Sequence, residues 1–185
     1  MATYPELAKL VRSLEAGSAE SGFTKVVVPY LVDVWLSDYA RSASTTGIVE
    51  TRDFNFSYLF DGNAERLVAA WGVSRGHHAG ARDKSRMAQH PLSAGPLYHR
   101  GHAIPHTLGG GTDINLVPQL GRINVGPFRP LEKQAVASPG SLYFTYWSYY
   151  GAAPARGGYP GQTPTGVDQG HLIAGQTPLV EHHRN

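Results

Sequence analysis

The sequence contains no cysteine among its 185 residues. Disulfide bonds, thiolate metal sites and catalytic cysteines are therefore all excluded. Because small secreted domains commonly depend on disulfides for their stability, this absence also favours a reducing compartment. Any chemistry that the protein performs must come from other side chains.

Long apolar runs are also missing, since no stretch approaches the ~20 residues that cross a bilayer as a helix. The first twelve residues, Met1 to Arg12, lack the apolar core of a signal peptide. We therefore expect no membrane association and synthesis in the cytoplasm. Export by a route that reads no signal peptide is the alternative.

Charge is sparse, because only 16% of the residues are charged and the formal net charge is +2. A pI of about 8.9 is compatible with a polyanionic partner but does not identify one. Hydrophobic residues make up 41% of the chain, which excludes a disordered tail. The 22 glycines and 13 prolines indicate many turns. Together these values favour a single loop-rich α+β domain.

The N-terminal part of the chain has helical character. Leucine and valine recur at helical spacing over residues 4–16, and Gly17 follows as a stop signal. This pattern predicts a short amphipathic helix that caps the core. Over residues 25–36 an apolar run is interrupted by Pro29, which predicts a strand followed by a helix through Tyr39.

Strand signals dominate the rest of the chain. Alternating aromatic residues and an Asp-Gly-Asn turn predict a β-hairpin over 53–73. Further strands are expected over 142–150, where aromatic residues are dense, and over 167–173. These signals predict a central antiparallel sheet. We therefore distinguish an N-terminal helical extension, 1–47, from a main domain, 48–185, within one compact unit overall.

The segment between these strands, residues 74–96, has no clear period and contains four basic side chains beside His77 and His78. Irregular segments of this length are commonly functional. Its basic residues are either a solvated face or a contact for phosphate groups. They are Arg75, Arg82, Lys84 and Arg86.

Three histidines within eight residues, His99, His102 and His106, suggest a zinc site. However, neither cysteine nor an HExxH helix accompanies them, and the glycines at 109–111 exclude a continuous helix through His106. Zinc is therefore the weaker alternative for this segment.

His102 is instead a candidate general base, since imidazole titrates near neutrality and accepts a proton from water. Arg100 offers a guanidinium group that stabilises charge on a phosphate in the transition state. Asn124 and Glu132 provide oxygen donors, which suit Mg²⁺ rather than zinc. A base, a cationic group and a hard metal together indicate phosphodiester hydrolysis.

Three ordered motifs in this segment match a known family. They read His99-Arg100-Gly101-His102, Asn115-Leu116-Val117-Pro118-Gln119 and Asn124-Val125-Gly126-Pro127-Phe128, the last followed by Leu131-Glu132. Asn124 follows Asn115 by nine residues and Glu132 follows Asn124 by eight, as in the family pattern. The chain resembles the DNA/RNA non-specific endonucleases of the ββα-metal (His-Me finger) superfamily. The resemblance is specific over about residues 97–133 and weaker over about 53–173.

This resemblance implies a ββα-metal motif attached to the central sheet and a role for each matched residue. His102 would activate the attacking water, and Arg100 would steady the phosphate. Asn124 would be the direct protein ligand of Mg²⁺, or alternatively Mn²⁺, and Glu132 would bind the ion through its water shell. Asn115 would support either His102 or the substrate. Similar enzymes leave 5′-phosphate ends and show little base preference.

Two positions depart from the family pattern. His99 stands where the family has aspartate, which puts metal affinity or metal preference in question. Some members carry an arginine four residues after the glutamate, where this chain has Val136. Arg129, Arg122 or an arginine of the basic segment is the candidate replacement.

We therefore expect a metal-dependent, sequence-non-specific endonuclease that hydrolyses DNA, with RNA as a second substrate. Because such an activity endangers the cell that makes it, we expect a bacterial toxin or effector domain that an inhibitor (immunity) protein neutralises. Two alternatives belong to other classes. One is a nucleic-acid-binding module that keeps the fold without activity, and the other is a zinc-bound structural or interaction domain.

Overall fold

The computed structural model describes residues 2–81, 84–91, 94–151 and 161–185. Its main element is a six-stranded sheet in which all neighbouring strands are antiparallel. A separate two-stranded antiparallel sheet consists of β4 (Tyr98–His102) and β5 (Leu116–Leu120). The expected α+β class and central antiparallel sheet are thus confirmed. The six strands, in spatial order, are β1 (Ile48–Asp53), β2 (Phe56–Asp61), β3 (Arg66–Val73), β6 (Leu142–Ser148), β7 (Gly166–Leu172) and β8 (Leu179–Arg184).

The predicted hairpin is confirmed as β2 and β3, and the strands expected near 142–150 and 167–173 are β6 and β7. In the β2–β3 turn, Oδ1 of Asp61 accepts hydrogen bonds from the backbone N–H groups of Asn63 and Ala64, at 2.9 and 3.0 Å. Such Asx bonding favours a tight turn at this position. The two edge strands, β1 and β8, were not expected, because their mostly exposed residues lack the apolar alternation of a half-buried strand.

The N-terminal extension forms α1 (Leu7–Arg12), a 3-10 turn (Ala16–Ser18), α2 (Ala19–Gly22), a π-helical turn (Phe23–Val27) and α3 (Val28–Tyr39). The helix expected near residues 4–16 is confirmed over a shorter span. The strand expected from Lys25 is wrong, because this stretch is helical throughout.

The reason for this helix lies in its burial pattern. Phe23, Val27, Leu31, Trp35 and Tyr39 recur every four residues, and each is fully buried at 0% exposure. A spacing of four places all of them on one helical face. Pro29 lies in the first turn of α3, where its missing N–H is tolerated. Burial of this face therefore outweighs the strand propensity of the local valines.

The main sheet separates two layers. The N-terminal helices cover one face, where the Trp35 ring lies 5.6 Å from Trp71 and 5.2 Å from Phe144. The opposite face carries α6 (Phe128–Ala137), whose Phe128 ring lies 6.2 Å from Trp147. The N-terminal extension thus shares one hydrophobic core with the main domain.

The remaining elements are short. They are α4 (Lys84–Met87), a 3-10 turn (His106–Leu108) and α5 (Gly121–Asn124). Among the described residues, no helix combines the length and apolar character needed to span a bilayer.

Candidate functional site

The β4–β5 hairpin supports the first two site residues. Because side chains alternate along a strand, Arg100 and His102 point to the same side of β4. Between them, Gly101 packs under the side chain of Gln119 on β5. A Cβ atom at Gly101 would lie 2.2 Å from Oε1 of Gln119, so only glycine fits there without displacing that side chain. The hairpin thus explains the glycine of the first motif.

Asn115 holds the loop that follows His102. Its Oδ1 accepts the backbone N–H of Ile104 at 2.7 Å, and its Nδ2 donates to the carbonyls of Ile104 at 2.8 Å and Gly111 at 3.0 Å. Its own carbonyl accepts the N–H of Ala103 at 2.9 Å. The residue is 0% exposed. This geometry favours support of His102, rather than contact with substrate, as the role of Asn115.

Helices α5 and α6 supply the oxygen donors. Asn124 ends α5, and its Nδ2 lies 3.2 Å from Nδ1 of His99. In this arrangement the amide nitrogen of Asn124 donates and Nδ1 of His99 accepts. Glu132 is half-buried, one turn after the buried Phe128 on α6. The side chains of Asn124 and Glu132 therefore come from two helices and line the same cleft as residues of β4.

These elements surround one cleft of about 550 Å³. Of the expected site residues, it brings together His99, Arg100, His102, Asn124 and Glu132, and it leaves the buried Asn115 outside its lining. Arg129 also lines it, whereas Arg122 does not. The remaining lining residues are Met87, Gln89, Pro105, His106 and Thr107.

Some of these residues were not expected at the site. The ring of His106 lies 6.3 Å from that of His102 at an angle of 82°, so it belongs to the cleft. The sequence named His106 only as part of the weaker zinc alternative. Met87 and Gln89 come from the irregular segment after β3, where length and lack of period were the only signals.

The four basic residues of the irregular segment, 74–96, do not all lie in the described part of the structure. Arg75 pairs with Glu20 of the N-terminal extension and does not line the cleft. Arg82 and the side chains of Lys84 and Arg86 lie outside the described residues. The expected phosphate contact of these three residues therefore stays a prediction.

The sheet face beneath α6 is polar. Burial raises the pKa of the Tyr143 hydroxyl well above its ordinary value, and the negative charge of Glu132 raises it further. Gln169 donates to this hydroxyl at 2.8 Å and to the carbonyl of Phe128 at 2.9 Å. His171 lies opposite Tyr143 in the strand register, and burial lowers the pKa of its ring. The Gln-Gly-His-Leu echo of the first motif is therefore part of β7, outside the cleft.

The donor set of the cleft suits a hard cation. Asn124 and Glu132 provide oxygen atoms, and Mg²⁺ binds proteins through one or two such groups while keeping several waters. Among the described residues, no three histidine or acidic side chains form a group that could hold a metal ion. A closed zinc site needs four ligands, so the described part of the chain offers nothing in favour of zinc.

Comparisons with known proteins add no relative: no protein-family model matches the chain, and no curated protein matches it. The resemblance to the ββα-metal endonucleases therefore rests on the three motifs in residues 97–133. The chemistry of the residues that line the cleft carries the functional argument.

Proposed function

We propose that this protein is a Mg²⁺-dependent endonuclease that hydrolyses phosphodiester bonds of DNA, and of RNA as a second substrate, without sequence preference. One observation carries the proposal. A single cleft collects the histidine and arginine of the first motif, the asparagine of the third and the glutamate that follows it. A β-hairpin followed by a helix is the arrangement that a ββα-metal site requires, and β4, β5, α5 and α6 follow one another in that order.

In this proposal His102 is the general base. It removes a proton from a water molecule in the cleft, and the water oxygen then attacks phosphorus as the bond to the leaving oxygen breaks. His102 is only 5% exposed yet lines the cleft, so its ring orientation is restrained by packing. Asn115 contributes as a positioning residue, because its hydrogen bonds hold the backbone two residues after His102.

Two arginines bind the phosphate. Arg100 lies on the same side of β4 as His102, and Arg129 lines the cleft from α6. Guanidinium groups form charge-assisted, commonly bidentate hydrogen bonds to phosphate oxygens. Negative charge on those oxygens is therefore stabilised as the attack proceeds. Arg129 takes the place that an arginine four residues after Glu132 has in some family members.

Asn124 and Glu132 are the residues that would hold Mg²⁺. When bound, the ion supplies positive charge that stabilises the leaving oxygen. His99 positions Asn124, because its Nδ1 accepts a hydrogen bond from the amide nitrogen. The amide oxygen of Asn124 is then left to serve as the ligand of the ion. An imidazole thus holds the asparagine where the family has an aspartate.

Lack of sequence preference follows if the contacts go to the backbone. Arginine contacts to phosphate position the substrate but carry no sequence information. An activity of this kind degrades the nucleic acid of the producing cell, so we propose a toxin or effector that an inhibitor protein neutralises.

The experiment compares wild type, His102→Ala and His90→Ala, with Mg²⁺ and with EDTA, on plasmid DNA and on RNA. His90 is the matched control, because it is an exposed histidine outside the cleft lining. Loss of a general base lowers the rate about 10²–10⁴-fold. We expect His102→Ala and EDTA to abolish cleavage on a gel and His90→Ala to keep it. Expression of wild type, but not of His102→Ala, should lower cell viability.

Two results would contradict the proposal. Nucleic-acid retardation without cleavage in Mg²⁺ would instead support a binding module of the same fold. Cleavage by His102→Ala at the wild-type rate would remove His102 from the mechanism.

A further inference from the structure

The most exposed large apolar side chain of the described residues is Phe54, at 84% exposure. It lies in the two-residue turn between β1 and β2, and its φ angle is +53°. A positive φ is unfavourable for a bulky residue and is adopted most readily by glycine. The ring of Phe54 is thus exposed to water, and the backbone of the residue has a conformation that is unfavourable for a side chain of this size. Such outliers cluster at binding and catalytic sites.

Phe54 borders a shallow cavity of about 120 Å³ on the side of the molecule that carries the cleft. Arg75, His77 and His78 also line it, and Gly109 lies at its base with a φ of +101°. A Cβ atom on Gly109 would already lie 3.5 Å from the ring of His78. The cavity therefore combines one exposed aromatic ring with three basic side chains, of which Arg75 is paired with Glu20.

A row of imidazoles connects this cavity to the cleft. The ring of His78 lies 6.1 Å from that of His106, which lies 6.3 Å from His102. The backbone N–H of His78 donates to the carbonyl of Thr107 at 2.7 Å, so the two loops are joined at this point. The ring of His78 therefore lies at most two such ring separations from that of His102, a distance that a few nucleotides of a strand can cover.

We propose that the Phe54 cavity is a subsite for single-stranded nucleic acid, in which an unpaired base stacks on Phe54 a few nucleotides from the scissile phosphate. The strand follows His106 and His78, whose ring N–H groups donate to phosphate oxygens. A base inside a duplex is already stacked on its neighbours, so its face is not accessible to Phe54. This subsite rests on the proposed nuclease function and gives that function a preference for single-stranded substrates.

Steady-state cleavage of a single-stranded oligonucleotide and of a blunt duplex, by four proteins, tests the subsite. Phe54→Gly removes the ring and relieves the backbone, whereas Phe54→Trp keeps a stacking surface. Val49→Ala is the control, because Val49 is 55% exposed on the same hairpin but outside the cavity lining. Base–aromatic stacking contributes enough affinity for roughly a 5- to 100-fold effect.

We expect Phe54→Gly to raise KM for the single strand by roughly 5- to 100-fold, with kcat and the KM for the duplex unchanged. Phe54→Trp and Val49→Ala should keep the wild-type KM for both substrates. The melting temperature of Phe54→Gly should equal or exceed that of wild type, because glycine tolerates the positive φ. A purely structural role for Phe54 would instead lower the melting temperature.

The outcomes separate the two proposals. If wild type cleaves and Phe54→Gly keeps its KM for the single strand, or loses affinity equally for the duplex, the subsite is wrong and the nuclease stands. If wild type cleaves neither substrate in Mg²⁺, the nuclease proposal fails and the subsite fails with it.

Discussion

The two faces of the main sheet differ in whether their buried polar groups have hydrogen-bond partners. On the face covered by the N-terminal helices, tyrosine hydroxyls donate to buried carboxylates at short distances. The pairs are Tyr4 with Asp168 at 2.7 Å, Tyr39 with Asp61 at 2.5 Å and Tyr146 with Asp38 at 2.9 Å. On the face beneath α6, polar atoms of three buried side chains have no hydrogen-bond partner within the described part of the chain: the Tyr58 hydroxyl, Oε1 of Gln169 and both ring nitrogens of His171.

This difference predicts that stability and the proposed activity depend on different faces of the sheet. A buried polar group without a partner costs about 1–3 kcal/mol relative to a satisfied one, so satisfied pairs are what a supporting layer requires. We therefore expect the N-terminal layer to contribute mainly stability, and the layer with the cleft to contribute the proposed activity. Substitutions on the two faces should separate these properties.

The largest expected effect is on the N-terminal face. Trp35→Ala removes a fully buried ring that contacts Trp71, Phe144 and Tyr146, together with its hydrogen bond to Tyr4. We expect the free energy of unfolding to fall by about 3–5 kcal/mol, as measured by urea denaturation.

Trp35→Phe is the control, since it keeps most of the packing and should lose much less stability. Cleavage per folded molecule should be unchanged in both variants. A lower kcat in fully folded Trp35→Ala would show that the face covered by the N-terminal helices also affects catalysis.

A smaller effect on stability, joined to an effect on activity, is expected at Asn115. Asn115→Ala leaves the N–H of Ile104 and two carbonyls without partners, which should lower the free energy of unfolding by about 1–3 kcal/mol. Because the same bonds hold the loop after His102, kcat should fall while KM stays near the wild-type value.

Urea denaturation and steady-state kinetics below the unfolding transition measure the two effects. Gln134→Ala, at an exposed position of α6 outside both the cleft and the Phe54 cavity, is the control and should change neither quantity. Loss of stability at Asn115 with an unchanged kcat would show that the loop does not position His102.

The smallest effect is the pH dependence of stability that arises from the sheet face beneath α6. Burial lowers the pKa of His171 from its ordinary value of 6.5. Below that value the unfolded chain binds a proton that the folded protein does not, so the free energy of unfolding should fall as pH decreases. The slope is at most about 1.4 kcal/mol per pH unit for one group. Burial lowers the pKa of His183 in the same direction.

Denaturation of wild type and His171→Leu between pH 7.5 and 5 (a range of roughly one unit on either side of the ordinary histidine pKa) checks this dependence. The substitution should make stability less sensitive to acid, whereas His90→Leu, at an exposed position, should keep the wild-type slope. An identical slope in His171→Leu and wild type would contradict burial of a neutral ring.

Local patterns in the sequence predicted the four central strands, β2, β3, β6 and β7, which are almost entirely buried. The hairpin of β2 and β3 has alternating apolar residues and an Asp-Gly-Asn turn, and both signals act within a few residues of chain. The prediction of a strand from Lys25 was wrong because a contact between distant segments outweighed the local signal. Its valines favour a strand locally, but burial of one helical face against Trp71 and Phe144 outweighs that preference.

The residues of the candidate site also divide into those that the sequence identified and those that only the structure revealed. The motifs alone identified His102, Arg100, Asn124 and Glu132 as candidates, because each residue type has its chemistry wherever it lies. Arg129 and Arg122 were equal candidates from the sequence, and only the orientation of α6 directs Arg129 into the cleft. The place of Gln89 in the cleft and the Phe54 cavity also depend on contacts between segments far apart in the chain.

The sequence by itself therefore determined which chemical groups are available: no thiol, but imidazoles, guanidinium groups and amide and carboxylate oxygens. It also determined the main antiparallel strands, since alternation and turn residues act locally. The tertiary structure decided which groups meet and which are buried, because packing across the sheet joins segments that no local pattern relates. It alone places α6, whose residues line the cleft, on the sheet face opposite the N-terminal helices.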